Sequence, residues 1–540
     1  MTDENNINED KIYSNDYADI VGLTGDLNSS IVESEGIYIH YIGKYSFIYV
    51  PRSTLMQNSV SSRGFEPFVL GLCQSWLTDT GIERVLEQST LGVDGTGVLL
   101  GIIDTGINYT DREFLYQNGS TKIASVWDQE NRNGEPPAGY VYGTGYGREE
   151  INSALESGEQ LSFLDRNGHG TRLAKTALSA APAAELIVVK LKQAKPYLMS
   201  ENLFKDTTAF ESGDLMTGLD YIVNKAQELG RPVSIIIGVG TTQGAHNGVS
   251  LLEQFINEIS LRTGVCVVAA AGNEGLSQHH YYSSVPELSR TIELNVSGSG
   301  GFTLWLWNDF LCRMSVGAAS PLGEVIQPVQ PVNLSESRFI MPLGSGSVSI
   351  QYRLPVDEKQ LSVVTVQNPV SGIWRLNLSF SRTGLCALDA WLPMAQFLDG
   401  SVTFIDPSTA STAVVPSTAP IVITTGGYNS TTGGIYENTG RGPNARGVLK
   451  PEFTAPAVDI LGGSGTSASA AITAGAAALL LQWGIVLGNN PAIKTEVIKT
   501  YLISGAEQPS PNLETDAEGF PNNLWGFGKI NLYNTFRQIF

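Results

Sequence analysis

At 540 residues the chain is too long for one small module, and at roughly 150 residues per domain it should hold two to four units. Its 33 basic and 53 acidic side chains leave a net charge of -20, which argues against nucleic-acid and anionic-membrane partners, because both reward clustered Lys and Arg. With 42% hydrophobic and 16% charged residues beside 58 glycines and 25 prolines, it reads as a loop-rich globular protein, not a low-complexity one.

Residues 1–20 contain neither a basic start nor an apolar run, so no secretory signal or membrane anchor is expected there, and the protein is expected to be cytoplasmic at synthesis. After an acidic, polar stretch, residues 36–52 are rich in β-branched and aromatic side chains and predict two short strands. They belong to a small N-terminal unit spanning residues 1–74. From Gly97 the run VLLGIID predicts a strand buried on both faces of a parallel sheet. Similar runs follow at 186–190, 233–238, 265–270 and 421–425, with helical patterns at 212–229 and 251–262. This alternation predicts a doubly wound α/β fold with a parallel central sheet, divided into a first part at 75–289 and a second at 392–540.

Between them, at 290–391, short β-type segments such as FTLWLW and IWRLNLSF alternate with Gly, Pro, Ser and Asn turns, predicting an inserted all-β sandwich. The second part closes with predicted helices at 467–483 and 491–502 and a tail at 525–540. Its longest apolar stretch, Ala468 to Leu487, is rich in Ala, Gly, Ser and Thr and includes Gln482, so it reads as a buried helix, not a membrane span. Cys73, Cys266, Cys312 and Cys386 form no C-x-x-C pair, which predicts free thiols and no zinc cluster.

Four positions carry chemistry. Asp104 ends the VLLGIID run and places a carboxylate at the C-terminal edge of the sheet, where such folds build their sites, although capping a turn would explain it equally well. Its D-T-G tripeptide recurs at Asp79, but the two lie only 25 positions apart and Asp79 opens a helical pattern, so an aspartic-protease dyad is not expected. His169, flanked by Gly168 and Gly170, starts a helix with an uncrowded imidazole; His40, His246, His279 and His280 lack such surroundings. Asn273 follows the 265–270 strand and presents an amide, and Ser467 sits in a Gly-rich turn at a positive helix end. Each has a bland explanation as a cap, turn or surface residue. Their conjunction, in the order Asp, His, Asn, Ser, does not.

The blocks IIDTGIN, NGHGTRLA, AAAGNEG and SGTSASAA resemble the signature blocks of the subtilisin-like serine proteases (peptidase S8) over about residues 75–285 and 420–540. The resemblance implies a serine endopeptidase acting on a protein substrate, with Asp104, His169 and Ser467 as the triad and Asn273 in the oxyanion hole. It also implies that Gly238, Val239 and Gly240 pair with substrate backbone, with Phe210 to Gly213 opposite. The sequence departs from the pattern at Ala470-Ala471, where the family has Thr-Pro, and at Gly238, where it has Ser.

More narrowly, the signal-less start, GTTQGAHNG at 240–248, GNEG followed by His279-His280, and the β insert resemble the clostridial Csp germination proteases. That likeness implies a jelly-roll insert and a prodomain retained non-covalently after self-cleavage, at Gln74 or, as second choice, Leu72. It further implies a spore-associated protein that activates a cortex-lytic zymogen, or alternatively a catalytically silent relative that senses a germination signal. No cofactor is expected, and although calcium is common in the family, no ligand loop stands out.

Overall fold

The computed structural model describes residues 10–26, 36–55, 69–72, 79–205, 207–285, 287–382, 386–509 and 519–540. An eight-stranded sheet forms its centre, in the spatial order Phe453–Pro456, Ile423–Tyr428, Val265–Ala270, Val233–Ile237, Leu99–Asp104, Glu185–Lys190, Ile123–Asp128, Thr144–Gly147. Every neighbouring pair is parallel except the last. The unbroken apolar runs have a simple cause, since alternate residues enter different cores. Leu100, Ile102 and Val188 face the helices His169–Ala180 and Thr466–Leu481. Leu99, Ile103 and Val189 face the helices Ser212–Glu228 and Leu251–Ser260.

Sequence periodicity missed the strands Ile123–Asp128, Thr144–Gly147 and Phe453–Pro456, which lie toward the two edges of the sheet; the last two have only four residues each, and the first mixes Ala, Ser, Trp and Asp into its run. The closing helix runs Thr495–Gly505, later than expected. The segment Thr466–Val486 is long and apolar enough to cross a membrane, but 89% of its most apolar window is buried inside the protein. It is the core helix on which the sheet packs, and Gln482 at its end accepts hydrogen bonds from the Asp94 and Gly95 N–H groups, both at 2.7 Å.

The N-terminal strands Tyr17–Leu23, Tyr38–Ile42 and Tyr45–Pro51 form an antiparallel sheet. The first of these was not expected from the sequence. One face of the sheet lays Tyr45, Phe47 and Tyr49 on the two helices 212–228 and 251–260, with Tyr45 edge-on to Phe255 at 5.0 Å. The other face buries Ala18, Ile20, Ile48 and Val50 against Tyr197, Leu198, Trp305, Trp307 and Trp391.

Between the two halves of the central sheet lie two antiparallel sheets of six and five strands around a common core that includes Leu304, Leu306, Val316, Val364, Trp374 and Leu376. Their strands run from His280 to Phe404, a wider span than the 290–391 segment that composition marked out. The expectation of free thiols is corrected here: Cys312 and Cys386 form a disulfide across 74 residues. Sequence spacing hid it because the pairing is made by strand register. Asn308 lies opposite Leu388, so the turn after Phe302–Asp309 meets the start of Cys386–Trp391. Cys266 is free and buried, and Cys73 lies outside the described residues.

Candidate active site

Asp104, the last residue of its strand, is fully buried. Its Oδ1 accepts from the Thr105 N–H at 2.8 Å, and its two oxygens lie 2.7 and 2.8 Å from His169 Nδ1. His169 starts the helix His169–Ala180, whose first turn has no side-chain cap of its own at Gly168. Asp165 supplies one: Oδ1 accepts from the Gly168 N–H at 2.7 Å and Oδ2 from the Thr171 N–H at 2.8 Å. Thr105 Oγ1 donates to Asp165 at 2.8 Å and accepts from the Gly170 N–H at 3.0 Å, tying the strand end to the helix start. Gly170 is required there, since a Cβ would lie 2.4 Å from the Gly106 carbonyl oxygen. Neither Asp165 nor Thr105 was singled out from the sequence. The signal was an Asp four residues before the histidine, with a Thr two after it.

On the far side of the imidazole, His169 Nε2 lies 3.2 Å from Ser467 Oγ. Ser467 is the second residue of the helix Thr466–Leu481 and is fully buried. Its backbone N–H is among the first-turn donors that no helical carbonyl takes. Asn273 stands beside it. The Asn273 Oδ1 accepts from the Thr466 N–H at 3.0 Å, which turns its NH2 away from the helix; among the described residues that NH2 has no partner. Thr466 Oγ1 in turn accepts from the Gly272 N–H at 2.9 Å. The structure thus brings all four positions together at one sheet edge. Asp79 is elsewhere, its carboxylate 3.8 Å from Lys529.

Gly238, between the strand Val233–Ile237 and the short strand Val239–Gly240, packs under the same imidazole. A Cβ there would lie 3.3 Å from His169 Cε1 and 2.7 Å from Leu173 Cδ1. Val239–Gly240 pairs antiparallel with Val69–Leu72, Val239 opposite Leu72 and Gly240 opposite Gly71. On its other side Val69–Leu72 pairs with Phe210–Glu211. An extended peptide backbone therefore lies between the two segments anticipated as substrate walls. Leu72 is its last described residue, and Gln74 lies outside the described residues.

Next to Phe210–Glu211, Lys192 and Lys195 meet three buried carboxylates. Lys192 pairs with Asp214 at 2.7 Å and Glu211 at 3.3 Å, and Lys195 pairs with Asp19 of the N-terminal sheet. Burial and the adjacent Glu211 charge push the Asp19 carboxyl well above its ordinary range. A raised carboxyl stabilises most below its unfolded pKa, and that contribution is lost as pH rises through the folded value. Docking of the N-terminal sheet should therefore loosen toward alkaline pH. Denaturant midpoints at pH 5 and pH 8 are expected to differ less in Asp19→Asn than in wild type; an equal difference would remove Asp19 from this role. Among the described residues, no group of three or more His, Cys, Asp or Glu side chains is placed to hold a metal ion.

The subtilase family profile (peptidase S8) matches residues 95–319 and 400–528, the intervening gap falling within the two antiparallel sheets. The solved structure of the Clostridium perfringens CspB protease is similar with a TM-score of 0.74 and 28% identity, covering 85% of this chain and 98% of that one. The subtilisin-like protease SBT3.16 of Arabidopsis thaliana is 23% identical over 517 residues, covering 84% of this chain and 63% of its own length. SBT4.14 of the same plant is 22% identical over 481 residues, with coverages of 80% and 60%. The chain thus spans less than two thirds of the length of these plant relatives. The profile takes in every strand of the central sheet together with Asp104, His169, Asn273 and Ser467, and the chain belongs to the subtilase family.

Proposed function

We propose that this chain is a serine endopeptidase made with its own N-terminal inhibitor, which it cuts and retains. The observation that carries the reading is the buried relay from Asp104 through His169 to Ser467, set beside a slot already occupied by extended backbone. In this reading Ser467 Oγ attacks a peptide carbonyl carbon while His169 Nε2 takes its proton. The carbon–nitrogen bond then breaks, and His169 gives the proton to the leaving amine. Water, activated by the same imidazole, hydrolyses the acyl-enzyme. The Ser467 N–H and the Asn273 NH2 hold the oxyanion, and a side-chain donor of this kind lowers the barrier by about 3–4 kcal/mol. Gly238, Val239 and Gly240, with Phe210 to Gly213 opposite, hold the substrate backbone as an added strand.

The Val69–Leu72 pairing supports the N-terminal unit as chaperone and inhibitor, with cleavage after Gln74 or, second, after Leu72. The resemblance of the GTTQGAHNG and GNEG motifs to the clostridial Csp germination proteases carries the further reading of a spore location and a cortex-lytic zymogen as target. A fluorophosphonate probe, applied after limited proteolysis has cleared the slot, is expected to form an adduct that peptide mapping places on Ser467. A folded, cleared protein that takes no label would overturn the endopeptidase reading. N-terminal sequencing is expected to find Ser75 or Cys73 as a new terminus in wild type and none in Ser467→Ala. An uncut wild type would overturn self-processing.

Gly238→Ala supplies a graded check. The added methyl presses on Leu173 and the imidazole edge, so kcat/KM is expected to fall roughly tenfold, short of the 10²-fold that an ångström of misplacement costs. Unchanged peptide hydrolysis would show that the imidazole has room to spare.

A further inference from the structure

The ladders that hold Val69–Leu72 stop short of the ends of their walls. Val69 lies opposite Glu211 and Leu72 opposite Val239, so the walls run toward higher residue numbers as the occupying backbone runs toward lower ones. Ser212 stands one residue past the ladder on one wall, and Gln243 stands three residues past it on the other. Both line a cavity of about 1100 Å³, large for a binding pocket, so the slot opens into it on the upstream side. Three bodies enclose the cavity: Val21 and Arg52 of the N-terminal unit, Met216 and Leu252 of the helices beneath that unit, and Trp305 and Trp307 of the inserted antiparallel sheets.

On paired strands of the insert, Trp307 lies opposite Leu361 and Trp305 opposite Val363, which gives the sheet one apolar face toward the cavity. Trp307 is buried, and its Nε1 has no hydrogen-bond partner among the described residues. An indole N–H only donates, so the group that satisfies it is an acceptor oxygen such as a peptide carbonyl. Charge does not select the occupant. The lining sets Arg52, Arg338 and Arg353 against Glu201, Glu336 and Asp357, with Arg52 paired to Glu201 at 2.8 Å and Arg338 to Glu336 at 2.6 Å. An apolar floor, one buried donor and balanced charges suit an apolar stretch of polypeptide better than an ion. The chain's own sequence just before Val69 reads FEPF, with two aromatic residues in four positions.

Resting on the endopeptidase reading above, we infer that the inserted sheets carry an exosite for protein substrates. The backbone that fills the slot continues upstream between Ser212 and Gln243, and a bulky apolar side chain of that upstream segment packs on Trp305, Trp307 and Val363. Trp307 Nε1 donates to one of its carbonyl oxygens. Because Val21 and Arg52 supply one wall, the N-terminal unit that inhibits the enzyme also completes this site while it stays docked. Selection then acts on residues remote from the scissile bond, through affinity and not through the chemical step.

The test uses the processed full chain, its slot cleared as above, and two internally quenched peptides with the sequences of residues 69–78 and 61–78. Both contain the two candidate cleavage bonds, and the readout is the long-to-short ratio of kcat/KM, which cancels any change in the relay. In wild type the longer peptide is expected to be better by roughly 10–100-fold, chiefly through KM, as one buried aromatic anchor commands. Replacing Phe65 and Phe68 of the longer peptide by Ser should abolish that advantage. Ser349→Trp, which fills the cavity from a half-buried position, is expected to lower the ratio at least roughly tenfold. Trp307→Phe, which keeps a ring and loses the N–H, should lower it roughly 3–10-fold. If Trp307→Phe fails to fold, Ser349→Trp and the Ser-substituted peptide carry the test. A wild-type ratio near one, a ratio unchanged in folded Ser349→Trp, or an advantage that survives loss of both Phe residues overturns the inference and leaves the endopeptidase reading intact. A wild type that hydrolyses neither peptide and takes no label at Ser467 overturns both.

Discussion

Exchanging Asp104 for asparagine is expected to lower kcat about 10⁴-fold with little change in KM, and alanine at Ser467 is expected to lower it at least as far. The reason is tautomeric. Both carboxylate oxygens of Asp104 lie within 2.8 Å of His169 Nδ1, so Nδ1 carries the proton and Nε2 keeps a lone pair facing Ser467 Oγ. Asparagine is nearly isosteric and retains an oxygen for the Thr105 N–H, but its NH2 offers Nδ1 a donor. The imidazole proton then moves to Nε2, and the base toward Ser467 is gone. Folding should survive, since Asp165 and Thr105 hold the histidine helix independently of that proton. Steady-state kinetics with a matched thermal melt would decide: a folded Asp104→Asn within tenfold of wild type would exclude the relay.

The second large effect is expected at Asn273. Alanine there should cut kcat by about 10²–10³-fold and leave KM nearly unchanged, because the donor acts only on the charge that develops in the transition state. Thr466 already occupies Asn273 Oδ1, so the side chain is pre-set with its NH2 outward. Losing that acceptor also leaves the buried Thr466 N–H without a partner, at about 1–3 kcal/mol of stability. Asn273→Asp separates the two roles: it restores an acceptor for Thr466 but replaces the donor by an anion, and its kcat should be no better than alanine's. Recovery of activity in Asn273→Asp would assign the residue to holding the helix start and not to the oxyanion.

Both effects trace to local sequence at strand ends and helix starts, and this is where the sequence was most informative. The run ending at Asp104, the glycines around His169, the AAAGNEG turn and the SGTSASAA helix start each name a residue whose backbone surroundings force its position. Two buried faces make a strand apolar without a break, so five of the eight strands of the central sheet were equally legible. The expected helices at 212–229, 251–262 and 467–483 stand within a few residues of their places for the same reason.

What sequence determined by itself, then, was the class of fold and the chemical identity of the four residues at its edge, because both follow from short-range pattern. Tertiary structure decided the rest. The support of His169 by Asp165, the Cys312–Cys386 pairing, the meeting of Asp19 with Lys195, and the cavity that Met216 and Trp307 line together all join residues by strand register or by domain packing. In three of these four the partners lie scores of residues apart or more, and a contact over such a separation leaves no periodic trace in the chain. Asp165 is the exception, four residues from its histidine, and it escaped notice because a cap reads as a turn until the helix it holds is seen.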